Sequence, residues 1–401
     1  MAFMCSSSSS MALALLPLLV AAAFFIPSMA SSASGTLDHG LDGEALLMLG
    51  RFHGWMAAHG RSYATVEEKL RRFEVYRSNM EFIEAANRDS RMSYSLGETP
   101  FTDLTHDEFM AMYSSNDDSS EWEETSTVIT TRAGPVHEGT AAVQEPPSRT
   151  NLNLTAVVPP SVDWREKGVV TAAKNQGAAC CKCHLTTSKI KHACDASCPS
   201  CWAFTSVATM ESAHAISTGG SPPVLSEQQL VDCRINGCGT SWMDQAFEWV
   251  IQNGGITTEA AYPYTGKVGT CQRAKPVAVR LRGYKKITPP GNEAALMAAV
   301  AQQPVAASFD YSDPCFQHYI RGVYNAGCSR SGVYTKGACG TTQNHALALV
   351  GYGTKPDGTK YWIGKNSWTD QWGDKGFVYF LRDSPPLGLC GIAKYPLYPI
   401  I

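Results

Sequence analysis

The sequence has no cysteine between residues 31 and 179, although the whole chain contains 14. Cys5 precedes this stretch, and the other thirteen cysteines lie between Cys180 and Cys390. The absence excludes disulfides from the front part and divides the chain into a cysteine-free and a cysteine-rich part. Because thirteen is an odd number, at least one of these sulfurs is free or pairs with another chain.

The chain also lacks a net positive charge and long apolar runs. These two absences exclude nucleic-acid and membrane-spanning roles in turn. The formal net charge of the 401-residue chain is −3, so the basic surface that nucleic-acid binding needs is lacking. The apolar run at residues 11–26 is broken by Pro17 and is short for a membrane span, and no later run is long enough. We therefore expect no nucleic-acid partner and no membrane-spanning domain.

Residues 1–30 have the features of a secretory signal peptide. The apolar run is followed by Ser28-Met29-Ala30, a small-x-small pattern that predicts cleavage after Ala30. Because residues 1–10 contain no basic residue, a signal anchor that stays in place remains an alternative. Entry into the secretory pathway favours disulfides among the cysteines that follow.

Helical patterns follow over residues 43–113, and residues 114–157 are typical of an exposed linker rich in Ser, Thr, Glu, Asp and Pro. The first amphipathic pattern, 45–56, is closed by His59-Gly60, and a longer helix is predicted over Val66–Asn87. Six residues of the longer helix are spaced by three or four positions and therefore share one face. They are Glu68, Arg72, Tyr76, Asn79, Ile83 and Asn87.

The cysteine-rich part begins near Pro159 and shows helical patterns first and strand patterns second. This segregation predicts an α+β architecture with two lobes, and a cleft between lobes is a common place for an active site. The predicted helices cover 202–217, 226–233, 243–253 and 292–302, and the predicted strands cover 305–309, 346–350, 361–363 and 377–381.

Cys198-Pro199-Ser200-Cys201 lies at a turn, directly before the helical pattern that starts at Trp202. The sulfur of Cys201 is therefore expected at a helix N-terminus, where backbone N–H groups and the macrodipole favour a thiolate. A thiolate and a histidine that transfers protons suffice for nucleophilic catalysis. The same four residues also fit a plain disulfide or a redox Cys-x-x-Cys pair, but the redox alternative expects a βαβ unit that the predicted elements lack.

Three other motifs accompany this helix start: Asn175-Gln176-Gly177, Asn344-His345-Ala346 and Lys365-Asn366-Ser367-Trp368. Together with Cys201-Trp202-Ala203-Phe204 they resemble the papain-like cysteine proteases. His345 lies 144 residues after Cys201, within the ~130–150 typical of that family, and Asn366 lies 165 residues after it. Several independent motifs in the right order are far more specific than any one of them.

The front part resembles the inhibitory propeptide of the same family. The face of the predicted helix Val66–Asn87 matches one propeptide signature, with Tyr76 in place of the usual Phe. Gly97-x-Thr99-x-Phe101-x-Asp103 matches a second signature, with Thr99 in place of the usual Asn.

The resemblance implies a plant-type zymogen with a signal peptide (1–30), an inhibitory propeptide (31–157) and a mature peptidase domain (158–401). The mature domain is expected to form a helical lobe and an antiparallel β-barrel-like lobe. The implied partners are protein or peptide substrates, the chain's own propeptide and cystatin-type inhibitors. The resemblance also implies a monomer without cofactor or metal ion, located outside the cell or in a vacuole or lysosome.

The resemblance assigns a role to each motif residue. Cys201 is the expected nucleophile, His345 takes and returns its proton, and Asn366 orients the imidazole. The Gln176 side chain and the Cys201 backbone N–H are expected to form the oxyanion hole. Trp368 is expected to shield the bond between His345 and Asn366 from water.

The same matching places Trp242, Met243 and Ala346 in the main specificity pocket. It predicts an apolar side chain at the substrate position preceding the residue that is cut. Three disulfides are implied, and Cys201 stays reduced: Cys198–Cys238, Cys233–Cys271 and Cys339–Cys390. Six cysteines then have no assignment: Cys180, Cys181, Cys183, Cys194, Cys315 and Cys328.

This chain departs from the family most clearly between Gln176 and Cys201, which are 25 positions apart where the family has six. The nineteen additional residues, approximately 179–197, contain four of the unassigned cysteines together with His184 and His192. A zinc site, a disulfide-pinned surface loop and a retained non-coding sequence in the gene model are the alternatives.

Side chains also replace glycines near the expected cleft. Pro199, the pair Thr240-Ser241 and Thr369 each stand where the family has Gly. They are expected to narrow the cleft or to disturb a backbone conformation that favours glycine. With the insertion at 179–197, they make a catalytically impaired homologue that binds peptides the alternative function.

Overall fold

The structure is a computed structural model that describes residues 43–113, 152–153, 157–177, 198–234, 237–239, 241–328 and 339–401. Residues 48–401 form one compact unit, and residues 1–47 form a second, of which only the start of the first helix is described. The expected signal peptide, most of the expected linker and the segment 179–197 lie outside the described residues.

Three helices and a short strand make up the front part. They are α1 (Gly43–Ala58), α2 (Val66–Asn87), β1 (Tyr94–Leu96) and α3 (His106–Tyr113). Helix α2 begins after Thr65, whose hydroxyl accepts a hydrogen bond from the Glu68 N–H at 3.1 Å and so caps the helix. The bounds predicted for this helix are confirmed.

The predicted shared face of α2 is buried and holds the turn that leads from β1 to α3. Asn79 donates through Nδ2 to the carbonyls of Thr102 at 2.9 Å and Leu104 at 2.8 Å. These bonds satisfy carbonyls of the turn in the buried interior, where an unpaired polar group is costly. Four of the six face residues are at most 5 % exposed: Arg72, Tyr76, Asn79 and Ile83.

The helical lobe of the back part is built around α4 (Cys201–Thr218), which is buried along most of its length. The one carboxylate on this helix, Glu211, is paired with the Lys174 ammonium at 2.8 Å. The helix ends at Gly219, whose φ of +68° is the left-handed conformation typical of glycine after a helix. Helices α5 (Glu227–Cys233) and α6 (Met243–Gln252) pack against it, each within a residue of its predicted bounds.

The second lobe is a nine-stranded sheet in the order β1-β5-β8-β7-β6-β4-β9-β3, with β2 paired to β6. Its elements are β2 (Val162–Asp163), β3 (Gly283–Lys286), α7 (Glu293–Val300), β4 (Val305–Phe309), α8 (Pro314–Gln317), β5 (Tyr319–Tyr324), β6 (His345–Thr354), β7 (Lys360–Lys365), β8 (Phe377–Leu381) and β9 (Leu397–Ile400). The two-lobed α+β fold is therefore confirmed. Among the described residues, no helix has both the length and the apolar character needed to cross a membrane.

One pairing departs from the expected antiparallel pattern, because β5 and β8 run parallel. Because β6, β7 and β8 pair antiparallel in turn, β8 runs in the direction of β6, so β5 and β6 also run in the same direction. The other pairings are antiparallel.

The front part supplies the edge strand of this sheet. Strand β1 pairs antiparallel with β5, and Tyr94 lies opposite Gly322. A Cβ at Gly322 would lie 2.6 Å from the Tyr94 Cα, and the residue has a φ of +93°. Glycine is therefore needed where the front part joins the sheet.

Four disulfides cross-link the described residues. The three expected pairs, Cys198–Cys238, Cys233–Cys271 and Cys339–Cys390, are present. The fourth, Cys315–Cys328, uses two cysteines that the sequence left unassigned. Of the described cysteines, Cys201 alone is free.

Candidate active site

Cys201 is the first residue of α4, so its sulfur lies at the N-terminal end of an 18-residue helix. Burial raises the pKa of the Cys201 thiol to about 11. Hydrogen bonds from the backbone N–H groups of Ala346 and Trp202 oppose this shift, because they favour the thiolate. The helix N-terminus therefore favours the thiolate, whereas burial favours the protonated thiol.

His345 and Asn366 are brought together by two neighbouring strands. His345 is the first residue of β6 and Asn366 follows the last residue of β7, and antiparallel pairing places these ends side by side. His345 Nε2 lies 2.9 Å from Asn366 Oδ1. Because the Ser367 N–H donates to the same oxygen at 2.8 Å, that atom must accept, and Nε2 must carry a proton.

The protonation of Nε2 leaves Nδ1 of His345 as the basic nitrogen of the neutral ring. Nδ1 is buried and has no hydrogen-bond partner among the described residues. Trp368 stacks on the imidazole with ring centroids 4.6 Å apart and is itself 0 % exposed. Water is therefore kept from the bond between His345 and Asn366, which strengthens that bond.

One cleft of about 350 Å³ is lined by both Cys201 and His345. The three residues predicted for the specificity pocket, Trp242, Met243 and Ala346, line the same cleft. Trp368, the fourth residue predicted to bind substrate, does not line it and lies against the imidazole instead.

Ser308 and Gln343 also line this cleft, and sequence reasoning missed both. Ser308 lies on β4 directly opposite Ala346 on β6, and its hydroxyl donates to Gln343 Oε1 at 2.6 Å. The strand register would have revealed Ser308, because its partner Ala346 belongs to the histidine motif. A polar pair therefore faces a pocket that the sequence predicted to be apolar.

Gln176 is tied to the histidine side of the site through Ser367. Its backbone N–H donates to the Ser367 carbonyl at 2.9 Å, and Ser367 Oγ donates to the Gln176 Oε1 at 2.5 Å. The amide nitrogen Nε2 is then the donor of Gln176 that remains, and it is buried without a partner among the described residues. Gln176 itself does not line the cleft.

Aromatic residues of the front part cover the cleft. Tyr113, the last residue of α3, lines the cleft and packs against Trp368 with ring centroids 4.9 Å apart. Phe101 and Phe109 contact the same indole at 5.5 Å and 5.2 Å. The front part therefore contacts the ring that shields His345.

Gln317 anchors the turn of the front part to the sheet lobe. The Thr99 hydroxyl donates to the Gln317 carbonyl at 3.0 Å. The Gln317 amide donates in return to the carbonyls of Phe101 at 2.9 Å and Leu104 at 3.0 Å. Thr99 therefore makes a polar contact with the back part from the position where an asparagine is usual.

Sequence comparisons find the same two regions. The family described as "Papain family cysteine protease" matches residues 185–400, and the one described as "Cathepsin propeptide inhibitor domain (I29)" matches residues 52–109. The chain belongs to the papain family of cysteine proteases. The papain-family match begins inside the segment 179–197 that separates Gln176 from Cys201.

Relatives and solved structures extend this similarity over most of the chain. Ananain from Ananas comosus is 37 % identical over 357 residues, which cover 88 % of each chain. The structure titled "Recombinant stem bromelain precursor" is similar with a TM-score of 0.69 and 36 % identity, over 88 % of this chain and 99 % of that chain. A structure of the bromelain protease from Ananas comosus in complex with the E64 inhibitor has a TM-score of 0.51 and 38 % identity, over 61 % of this chain and 100 % of that chain.

This papain-family chain is a cysteine endopeptidase made as a zymogen, because it combines the peptidase region with the propeptide inhibitor domain. The redox alternative is wrong, since Cys198 is bonded to Cys238 and Cys201 is free. The relatives are proteases, which does not favour an impaired peptide-binding homologue.

The residues that replace family glycines have different consequences. Pro199 and Ser241 both line the cleft, and Thr240 lies outside the described residues. Thr369 keeps a φ of +68°, a conformation that is strained for a β-branched residue. In this papain-family chain, the backbone after Trp368 therefore has a conformation typical of glycine, although the residue there is threonine.

Burial favours the neutral forms of both Cys201 and His345 in this structure. Burial lowers the pKa of His345 to about 4, although the bond to Asn366 opposes the shift. With the pKa of Cys201 at about 11, thiol and imidazole are both neutral between these two values. A thiolate–imidazolium pair is therefore not favoured while both groups are buried.

Proposed function

We propose that Cys201, His345, Asn366 and Gln176 catalyse the peptide-bond hydrolysis of this protease. The observation that carries the proposal is the bond between His345 Nε2 and Asn366 Oδ1 at 2.9 Å. It leaves the basic Nδ1 of His345 without a partner among the described residues, in a ring that lines the same cleft as Cys201.

In the acylation step, the Cys201 sulfur attacks the carbonyl carbon of the scissile bond while its proton passes to His345 Nδ1. The carbonyl oxygen becomes an oxyanion as the tetrahedral intermediate forms. The C–N bond then breaks, the imidazolium gives its proton to the leaving amine, and a thioester remains on Cys201.

In the second half of the reaction, His345 takes a proton from a water molecule, which attacks the thioester. The carboxylic acid leaves and the proton returns to the Cys201 sulfur. The proposed oxyanion hole consists of the Gln176 amide nitrogen and the Cys201 backbone N–H at the start of α4. The unused, buried Nε2 of Gln176 supports this role.

The cleft supports a preference for substrates with an uncharged side chain in the specificity pocket. Apart from His345, no acidic or basic residue contributes to the described lining, and Trp242, Met243 and Ala346 provide apolar surface. The polar pair Ser308 and Gln343 adds a place for a substrate group that hydrogen-bonds. A library of fluorogenic peptides varied at the residue before the cut one tests this preference.

The propeptide is proposed to leave at acid pH. Burial alone would raise the pKa of Glu68, but hydrogen bonds from Arg71 and Arg72 outweigh it and lower the pKa to about 2. Such a group stabilises the fold above its ordinary value of 4.5 and loses that contribution as the pH falls through its folded value. Asp103 acts in the opposite direction, because burial raises its pKa.

The proposed boundaries are a signal peptide over 1–30, a propeptide over 31–157 and a mature domain over 158–401. Val157 is fully exposed, which suits cleavage there, and the Pro159 carbonyl accepts a hydrogen bond from the Tyr352 hydroxyl at 2.9 Å. The new N-terminus would thus stay attached to β6. We also propose a monomeric protein of the secretory pathway, extracellular or vacuolar, that cystatin-type inhibitors bind.

The proposal is tested on the full chain, expressed as the proform and matured at low pH. We expect cleavage of a fluorogenic peptide, its loss with the inhibitor E64, and labelling of Cys201 by that compound, as its complex with bromelain suggests. Cys201→Ala and His345→Ala should each abolish cleavage, whereas His214→Ala, on the same helix as Cys201, should not. Inhibitor-sensitive cleavage that persists in Cys201→Ala would disprove the assignment.

A further inference from the structure

The proposed oxyanion hole is assembled from two segments that the sequence holds far apart. Gln176 and Cys201 are separated by 25 positions, so the intervening chain alone cannot fix one against the other. Oxyanion donors must nevertheless be placed within a few tenths of an ångström to act on the transition state. Some other contact must therefore hold these two segments in register.

Tyr264 makes such a contact from a third segment. Its hydroxyl donates to the backbone carbonyl of Gln176 at 2.8 Å. The same hydroxyl lies 2.7 Å from Oγ of Ser200, the residue that directly precedes the nucleophile. One phenol group thus touches both segments of the proposed oxyanion hole.

The direction of these bonds follows from counting hydrogens. A carbonyl can only accept, so the single hydroxyl hydrogen of Tyr264 goes to Gln176. The Ser200 hydroxyl has one hydrogen and two acceptors in reach, the Tyr264 oxygen at 2.7 Å and the Cys198 carbonyl at 3.2 Å. The shorter distance favours donation to Tyr264, so the chain of bonds runs from Ser200 through Tyr264 to Gln176. The hydrogen bonds of such a chain polarise one another when they all run in the same direction, as they do here.

Tyr264 is itself held firmly. Its backbone N–H donates to Glu259 Oε1 at 2.8 Å. Its ring packs edge-on against Phe204 of α4, with centroids 4.9 Å apart and an interplanar angle of 86°. Burial raises the pKa of Tyr264 to about 12, so the hydroxyl remains a donor wherever the enzyme works.

We infer that Tyr264 is a positioning residue that joins the two segments of the oxyanion hole by hydrogen bonds to Gln176 and Ser200. The inference rests on the proposed function, because it requires Gln176 to be an oxyanion donor. Tyr264 does not line the cleft, so it is expected to act through the positions of Gln176 and of the start of α4.

The test compares Tyr264→Phe with Tyr262→Phe in the matured enzyme. Tyr264→Phe removes only the bridging hydroxyl, and we expect kcat to fall about tenfold with KM within twofold, since misplaced donors weaken only the transition state. Binding of a peptide aldehyde, which forms a tetrahedral adduct, should weaken by the same factor. Alkylation by iodoacetamide, which forms no oxyanion, should be unchanged.

Tyr262→Phe is the matched control, because the Tyr262 hydroxyl bonds Asp232 at 2.7 Å and Thr270 at 3.0 Å and makes no described contact with Gln176. We expect its kcat and aldehyde affinity to stay within twofold of the unmodified enzyme. If Tyr264→Phe does not fold, Ser200→Ala removes the other end of the chain of bonds and should lower kcat in the same selective way.

A double-mutant cycle separates the role of Tyr264 from the proposed role of Gln176. In a Gln176→Ala background, Tyr264→Phe should lower kcat by clearly less than in the unmodified enzyme, because one of the two donors that it positions is gone. If Gln176→Ala lowers kcat but Tyr264→Phe does not, the inference about Tyr264 is wrong and the proposed oxyanion hole stands. If Gln176→Ala leaves kcat and aldehyde affinity unchanged, the proposed role of Gln176 fails, and the inference with it.

Discussion

The two sides of the proposed active site are held in different ways. His345 and Asn366 lie at adjacent ends of β6 and β7, whose backbone ladder continues to Thr354 and Lys360. Gln176 and Cys201 come from a loop and a helix start, and in the described structure side-chain bonds from Ser367 and Tyr264 tie the Gln176 loop in place. The histidine side is thus held by a continuous backbone ladder. The Gln176 loop has a short backbone bridge, at Asn175 and Trp368 and from the Gln176 N–H to the Ser367 carbonyl, which these side-chain bonds supplement.

The largest effect is expected where the histidine side itself depends on one side chain. Asn366→Ala removes the bond that sets the His345 ring, although β6 still places its Cα. We expect kcat/KM to fall about 100-fold, because a misplaced catalytic group costs about that much. Steady-state kinetics of the matured variant measure the loss.

Thermal unfolding is the control for this variant, with Asn253→Ala at the end of α6 as the comparison substitution. Unchanged kcat/KM in Asn366→Ala would show that the backbone ladder alone orients His345. The contrast between the two sides would then be greater than we propose.

The next largest effect is expected at Tyr113, where the front part lies over the histidine side of the site. Tyr113 lines the cleft and packs on Trp368, and it belongs to the environment in which the Cys201 thiol stays protonated. In the proform of Tyr113→Ala we expect iodoacetamide to alkylate Cys201 about tenfold faster at neutral pH, because a less buried thiol ionises more readily. Mass spectrometry of timed samples measures the rate.

Tyr63→Phe is a suitable control for Tyr113, because the Tyr63 hydroxyl bonds Asp103 at 2.8 Å and Tyr63 does not line the cleft. Equal alkylation rates in the unmodified and Tyr113→Ala proforms would mean that Tyr113 does not contribute to the burial of Cys201.

Ion pairs of Glu68 within helix α2 help to hold the propeptide together, and this predicts a smaller effect. Glu68→Gln removes a carboxylate that stabilises the propeptide above pH 4.5 and ceases to do so on acidification. The variant lacks that contribution at every pH, so we expect half-maximal activation to move upward by about half a pH unit. Activity after a fixed incubation at each pH gives the midpoint.

Glu74→Gln is the matched control on the same helix, because Glu74 pairs with Arg77 at 2.6 Å while 57 % exposed. Exposed pairs of this kind contribute little, so its midpoint should not move. If both variants move equally, the effect belongs to the net charge of the propeptide and not to the buried pair of Glu68 and Arg72.

The sequence predicts the elements of this fold much better than their long-range neighbours. Helix α2 and its buried face follow from spacing, and Cys201 and His345 follow from local motifs. Ser308, in contrast, faces the cleft only through the pairing of β4 with β6, and no short-range pattern records that register. Tyr264 reaches Gln176 across 88 positions, and a lone tyrosine in a loop carries no local signal of this kind.

Thr369 offers a smaller effect on the histidine side. Its φ of +68° costs roughly 1–2 kcal/mol for a residue other than glycine, and Gly relieves that cost. The Thr369 hydroxyl also accepts a hydrogen bond from the Gln371 N–H at 3.0 Å, which Gly loses. We expect Thr369→Gly to raise the free energy of unfolding by about 1 kcal/mol, measured by denaturant titration.

Thr369→Ala separates the backbone strain from the lost hydrogen bond, because it loses the same hydrogen bond and keeps a Cβ at positive φ. It should be less stable than the glycine variant by about 1 kcal/mol. Equal stability of the two variants would show that the backbone at Thr369 carries no strain. Activity should stay within twofold in both, since β6 and β7 still set the positions of His345 and Asn366.

Deletion of residues 179–197 is expected to have the smallest effect. It restores the family's spacing of six positions between Gln176 and Cys201. If Ser367 and Tyr264 fix the Gln176 loop, the length of the connection matters little, and kcat should stay within threefold of the full chain. A rise of tenfold or more would mean that the insertion displaces the oxyanion hole, as the impaired-homologue hypothesis requires. The full chain and the deletion variant are compared after maturation, with active sites titrated by E64.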